Sequence, residues 1–213
     1  MNESDIDNWV SLTSHELRYL LSLGEGRANA VSRARLGIPV DDSESDVTLA
    51  GRSTLLVRGL AKMVDEGVEP VDLAAMVAWL LSTSHTWFEV GVTIGKVADA
   101  LLILANDDVA AVMAPQAMGI FRAALIDAGS KPAEIAVSFA REVLEGNAEA
   151  SASARAFGVN GELSAGVSRR GDTWLVVRPL PDRIAEGELV PEATESTPSQ
   201  AIDALTTVFR RGE

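Results

Sequence analysis

HTWFEVGVTI, residues 85–94, is where the chain changes its periodicity. Just before it, GVEPVDLAAMVAWLLSTS (67–84) places Leu73, Met76, Val77, Leu80 and Leu81 three or four positions apart. That spacing predicts a helix from about Val71 to Leu81, with Pro70 preset for its first turn. From Trp87 the period is two: Phe88, Val90, Val92 and Ile94 point one way, and Trp87, Glu89, Gly91 and Thr93 the other, the pattern of a half-buried strand. A helical region therefore feeds a sheet, and the fold class is α+β. His85 precedes the strand as a loop or edge residue. No second histidine, cysteine or paired carboxylate lies nearby in sequence to make it a ligand or a relay.

Upstream, SLTSHEL (11–17) predicts a helix start: Thr13 and Glu16 form a capping box, and Leu12 and Leu17 the flanking hydrophobic staple. The helix presents Leu17, Leu20, Leu21 and Leu23 to a core and is expected to close at Gly24 in a left-handed conformation, leaving His15 on its exposed first turn. Two more helices are read at about Arg27–Leu36, ending at Gly37 and Pro39, and about Leu49–Arg58, ending at Gly59.

Downstream, ADALLILAND, DVAAVMAPQ and AMGIFRAALID are apolar segments separated by turn residues at 106–108 and 115–116. With residues 86–94 they predict an antiparallel meander of about four strands, although LLIL (101–104) also fits a short helix. Residues 132–156 read as helical, with Ile135, Ala136, Phe139, Val143 and Leu144 inward and a weak Ala/Ser-rich end. GELSAGVSRRGDTWLVVRPL (161–180) gives two strands around RRGD, with Trp174, Val176 and Arg178 on one face and Leu175 and Val177 on the other. A long acidic connection follows. It ends at TPSQ (197–200), which supplies an N-cap, a proline at the first helical position and a glutamine at the third. Ile202, Leu205, Val208 and Phe209 form the last apolar stripe, and Arg210 and Arg211 complement the helix's negative end.

Composition narrows the function. The 213 residues are 47% hydrophobic and 23% charged, as in globular chains. The absence of cysteine excludes disulfides, thiolate metal sites and cysteine nucleophiles, and fits a reducing cytoplasm. A formal charge of −13 repels phosphate backbones, so nucleic acid is not expected as a partner. The acidic start lacks a signal-peptide pattern, and no apolar run is long enough to insert in a membrane. There is no P-loop, GxGxxG, HExxH, GxSxG or EF-hand loop. GEGRANA (24–30) lies between helices, Asp99, Asp107 and Asp108 suit a hairpin turn better than a cation site, and RRGD is a hairpin tip. Glu89 is the best candidate for acid–base work, but a strand face open to water or to a partner explains it better. No catalytic residue, cofactor or metal is expected.

LTSHELRYLLSLGEG resembles the start of the EspG family, the cytosolic chaperones of type VII (ESX) secretion in actinobacteria. GLAKMVDEGVEPVDLAAMVAWLLSTSHTWFEVGVTI resembles its next helix and first strand, and DDVAAVMAPQAMGIFRAALID its following strand pair. Residues 161–209 are similar to its closing hairpin, acidic loop and last helix, while the chain is shortened between Ala128 and Gly161, where the family has extra elements. The resemblance implies one domain over 1–213 with pseudo-two-fold halves, about 1–127 and 128–213: a helical N-terminal region, an antiparallel meander, and a C-terminal hairpin and helix. It implies a non-enzymatic chaperone that holds the helical tip of a PE–PPE or WXG-type substrate, and it leaves a homodimer open. Trp87, Glu89, Thr93, Trp174, Val176 and Arg178 are the expected partner contacts. The rival readings are a winged-helix regulator using Arg52 and Arg58, and an enzyme built on Glu89.

Overall fold

The computed structural model describes residues 9–40, 45–65, 67–158, 161–178 and 193–212. The acidic stretches 1–8, 41–44 and 179–192, including most of the connection read between the last hairpin and helix, lie outside the described residues. The chain is α+β, with six helices and antiparallel strands among the described residues. It falls into two compact units, one comprising Glu3–His85 and Leu102–Ala128, the other Thr86–Leu101 and Gly129–Glu213. Thr86–Leu101 groups with Gly129–Glu213 rather than with its neighbours in sequence.

In the N-terminal unit, β1 (Val10–Thr13) runs straight into α1 (Ser14–Ser22) through the expected capping box. The Thr13 hydroxyl accepts from the Glu16 amide at 3.2 Å, and the Glu16 carboxylate accepts from the Thr13 amide at 2.8 Å. Glu16 is fully buried and takes two further bonds from Arg58, at 2.8 and 2.9 Å. Arg58 sits at the C-terminal cap of α3 (Asp46–Val57) and also donates to the Ser11 carbonyl at 2.6 Å. One local cap thus ties three elements together. At the α1–α3 crossing, a Cβ on Gly51 would lie 1.9 Å from the His15 carbonyl oxygen, so the helices approach to backbone contact.

α1 does not close as predicted. Its cap is Leu23, which is half exposed rather than inward, and Gly24 is not left-handed. Gly24 is needed instead for clearance: a Cβ there would meet the Ser82 hydroxyl of α4 (Asp72–Thr83) at 1.8 Å. α2 (Gly26–Arg35) does end with Gly37 in the left-handed region, at φ 64°. A hairpin of β2 (Ala61–Val64) and β3 (Gly67–Pro70) precedes α4, so Pro70 finishes a strand rather than opening the helix. The Tyr19 hydroxyl donates to the Val68 carbonyl at 2.6 Å and fastens this hairpin to α1. The four main strands of the unit run in the order β1, β7 (Ile120–Ile126), β6 (Ala110–Pro115), β5 (Val97–Ala105, of which Leu102–Ala105 belongs here). LLIL is therefore strand. Leu102–Ala105 and Ala110–Ala114 are buried without interruption, so these strands are covered on both faces.

The C-terminal unit has the order β4 (Thr86–Ile94), β8 (Glu149–Gly158), β9 (Gly161–Arg170), β10 (Thr173–Val177), β11 (Thr194–Ser196), with Val97–Leu101 beside β4. The predicted helix over 132–156 is two elements: α5 (Pro132–Gly146) and then β8. In β8, Ala150, Ala152, Ala154 and Ala156 are buried while Ser151 is exposed and Ser153 and Arg155 are half-buried. The segment reads as a poor helix end by composition and a good strand by alternation. The RRGD hairpin forms as expected, turning at Gly171 with φ 61°. α6 (Pro198–Gly212) has its capping box, with the Thr197 hydroxyl accepting from the Gln200 amide at 3.3 Å and the Gln200 side chain accepting from the Thr197 amide at 3.1 Å.

Both helices of this unit lie on one face of its strands. Phe88 meets Phe209 of α6 edge-on at 5.3 Å. On the same face, Arg169 donates to the last-turn carbonyls of α5 at Leu144 and Glu145, at 2.9 and 2.8 Å. The cross-strand register fixes what shares that face: Ile94, Ala150, Arg169 and Trp174 form one row, and Val92, Ala152, Val167 and Val176 the next. The alanine rows let α5 and α6 settle closely with Ala136, Ala140, Ala201 and Ala204, all fully buried.

Candidate functional site

The opposite face of the same strands is the candidate site. Alternation sends Trp87, Glu89, Gly91 and Thr93 of β4 to it, and the register continues these rows across β8, β9 and β10. One row is Gly91, Ser153, Gly166 and Val177; the next is Thr93, Ser151, Ser168 and Leu175. The floor is made of glycine, serine and threonine, and β10 supplies an aliphatic wall. Together with Ala98, Ala100 and the charged Asp99 and Arg170 these residues line a shallow groove of about 540 Å³ that runs across the strands. Five strands at about 4.8 Å spacing make it roughly 19 Å long, the length of about 13 residues of α-helix.

The floor is tightly fitted. The Ser151 and Ser168 hydroxyls pair at 3.2 Å, the Ser153 hydroxyl donates to the Gly91 carbonyl at 3.4 Å, and a Cβ at Gly91 would lie 2.7 Å from the Ser153 oxygen. Gly91 thus leaves room for the Ser153 hydroxyl, and Gly166 beside it is buried. Toward Trp87 the face becomes charged. Glu89 is half-buried opposite Arg155, and Arg155 donates to Glu162 at 2.9 Å.

The six residues predicted as partner contacts do not form one surface. Thr93 is exposed in the groove and Glu89 lies on the same face, half-buried beyond its end. Trp87 shares their face but is only 5% exposed. Trp174 and Val176 belong to the helix-covered face, with Trp174 also 5% exposed and the Arg169 guanidinium 5.4 Å from its ring centroid. Arg178 is exposed at the end of β10, where it lines, with Val176, a separate polar hollow of about 570 Å³ against α6. The residues that make the groove, Ser151, Ser153, Gly166, Ser168, Leu175 and Val177, were not singled out in advance. Glycines inside strand patterns at 91 and 166 were the available signal.

Elsewhere, His85 Nε2 lies 3.1 Å from Asp107 Oδ1 on the exposed surface of the N-terminal unit, and Asn106 organises the turn at 106–109 by accepting from the amides of Asp108 and Val109. No group of three histidine, aspartate or glutamate side chains is placed to hold a metal among the described residues. No helix among them is long and apolar enough to cross a membrane. In comparisons with known proteins, no family model and no curated protein matches the chain.

Proposed function

We propose that the protein is a non-enzymatic chaperone or adaptor of the EspG type, acting in the cytoplasm, that receives the apolar helical tip of a type VII secretion substrate on the open face of its C-terminal unit. The observation that carries this reading is the asymmetry of that unit. Both of its helices occupy one face, and the other presents a groove of small side chains with an aliphatic wall at Leu175 and Val177. A helix laid there would bury apolar surface and keep its exposed tip from aggregating. The order of the sequence elements supports the family assignment.

A winged-helix function is less well served. Its recognition helix would be α3, and Arg58, one of its two arginines, is engaged by Glu16 and Ser11. The acid–base reading of Glu89 places it half-buried across from Arg155 in a paired strand.

Co-expression with a PE–PPE or WXG-type substrate tests the proposal: a soluble complex with one copy of each chain is expected by size-exclusion chromatography with light scattering. Leu175→Asp places a charge in the aliphatic wall and should weaken that complex at least about tenfold. An unchanged affinity in Leu175→Asp refutes the groove as the binding surface. Failure of every such substrate to co-purify refutes the chaperone reading.

A further inference from the structure

A second groove lies between the first three turns of α5 and the last turns of α6, enclosing about 730 Å³. Its floor is Val137 with the buried Ala133, and its walls carry Lys131, Glu134, Arg141 and Arg210, with the Ser138 and Thr206 hydroxyls between them. In a chain of net charge −13 the groove is lined by three cations and one carboxylate. Lys131 is neutralised by Glu134 at 3.0 Å, but Arg141 and Arg210, on facing helices, have no ion-pair partner among the described residues. Glu134, the carboxylate that lines the groove, is paired with Lys131, so the two guanidiniums are left to repel each other, and an anion between them removes that cost. The Thr206 hydroxyl donates to the Ile202 carbonyl at 2.9 Å, which leaves its lone pairs free to accept from a backbone amide.

We propose that this groove binds an acidic peptide segment of a partner protein in extended form. From Lys131 to Arg141 the helix rises about 15 Å, which matches four or five residues of extended chain at about 3.3 Å each. A peptide of that length fits the volume, places its carboxylates on Arg141 and Arg210 in bidentate pairs, and lays its backbone over Val137. The site is independent of the sheet groove, since α5 and α6 cover the other face of the strands.

Fluorescence anisotropy with the full chain and a fluorescein-labelled pentaglutamate peptide tests the assignment. Net repulsion and the local pairs respond to salt in opposite directions, so charge reversal is the decisive comparison rather than ionic strength. Saturable binding of one peptide per chain is expected, weakened about tenfold or more in R141E/R210E with an unchanged melting temperature, and absent for pentaglutamine. Equal binding by the wild type and R141E/R210E, or by pentaglutamate and pentaglutamine, overturns the proposal. So does tighter binding of a five-nucleotide single-stranded DNA, which would assign the groove to phosphates.

Discussion

β6 and β8 are both alanine-rich antiparallel strands, yet they are built on different plans. In β6 (AAVMAP) five consecutive residues are buried, and no face of the strand reads as polar. In β8 (EASASARAFG) alanines alternate with serine, serine and arginine, and only the alanine face is sealed. Continuous burial marks a strand covered on both sides, whereas alternation marks one with a side left over. The serine side of β8 is the centre of the candidate groove, so the contrast between the two strands also locates the candidate face.

The contrast predicts an ordered set of mutational effects. A charge in β6 has nowhere to go: Val112→Asp should cost about 4 kcal/mol or more and prevent folding in most conditions, as read by urea denaturation. In β8, Ser151→Asp at the exposed edge of the groove should change stability by less than about 1 kcal/mol. Comparable losses in the two variants would show that the groove face is covered and would remove the distinction. Within β8 itself, Ala154→Leu, facing α5 and α6, should cost about 2 kcal/mol through overpacking, whereas Ser151→Val should stay within about 0.5 kcal/mol.

The N-terminal unit has its own buried junction in Glu16. Glu16→Ala should cost about 3 kcal/mol, the low end for breaking a buried ion pair, because Arg58 retains 38% side-chain exposure and can turn to water. The smallest effect concerns Tyr19, whose hydroxyl is held above its usual pKa mainly by burial, with Arg52 acting weakly in the opposite sense. A raised folded-state pKa means the neutral phenol is favoured by folding, so the contribution is intact below about pH 10 and is lost as pH rises through the folded value. Tyr19→Phe should flatten that alkaline loss of stability. A loss equally steep in Tyr19→Phe would place its origin elsewhere.

What the sequence shows well is what is decided locally. The capping boxes at Thr13 and Thr197 and the RRGD hairpin are complete within four residues, so their letters suffice. The β2–β3 hairpin is short and carries the exposed Lys62, Met63 and Glu69, leaving little apolar alternation to read. β8 is ambiguous because alanine favours helices and serine opposes neither state strongly, so composition competes with alternation. Gly24 shows the same limit in miniature, since its role depends on Ser82, which is distant in sequence. The faces of Trp87 and Trp174 depend on register across four strands, and no spacing within one segment reveals that the two lie on opposite sides. The groove is harder still, because it consists of side chains that are small.

Filling that groove tests the central claim most directly. Ser153→Trp places an indole on its floor without entering the helix-covered core. The variant, co-expressed with a type VII helical substrate that the wild type retains, should keep its melting temperature and lose the complex on size-exclusion chromatography. A complex of unchanged affinity with the groove filled would contradict the account.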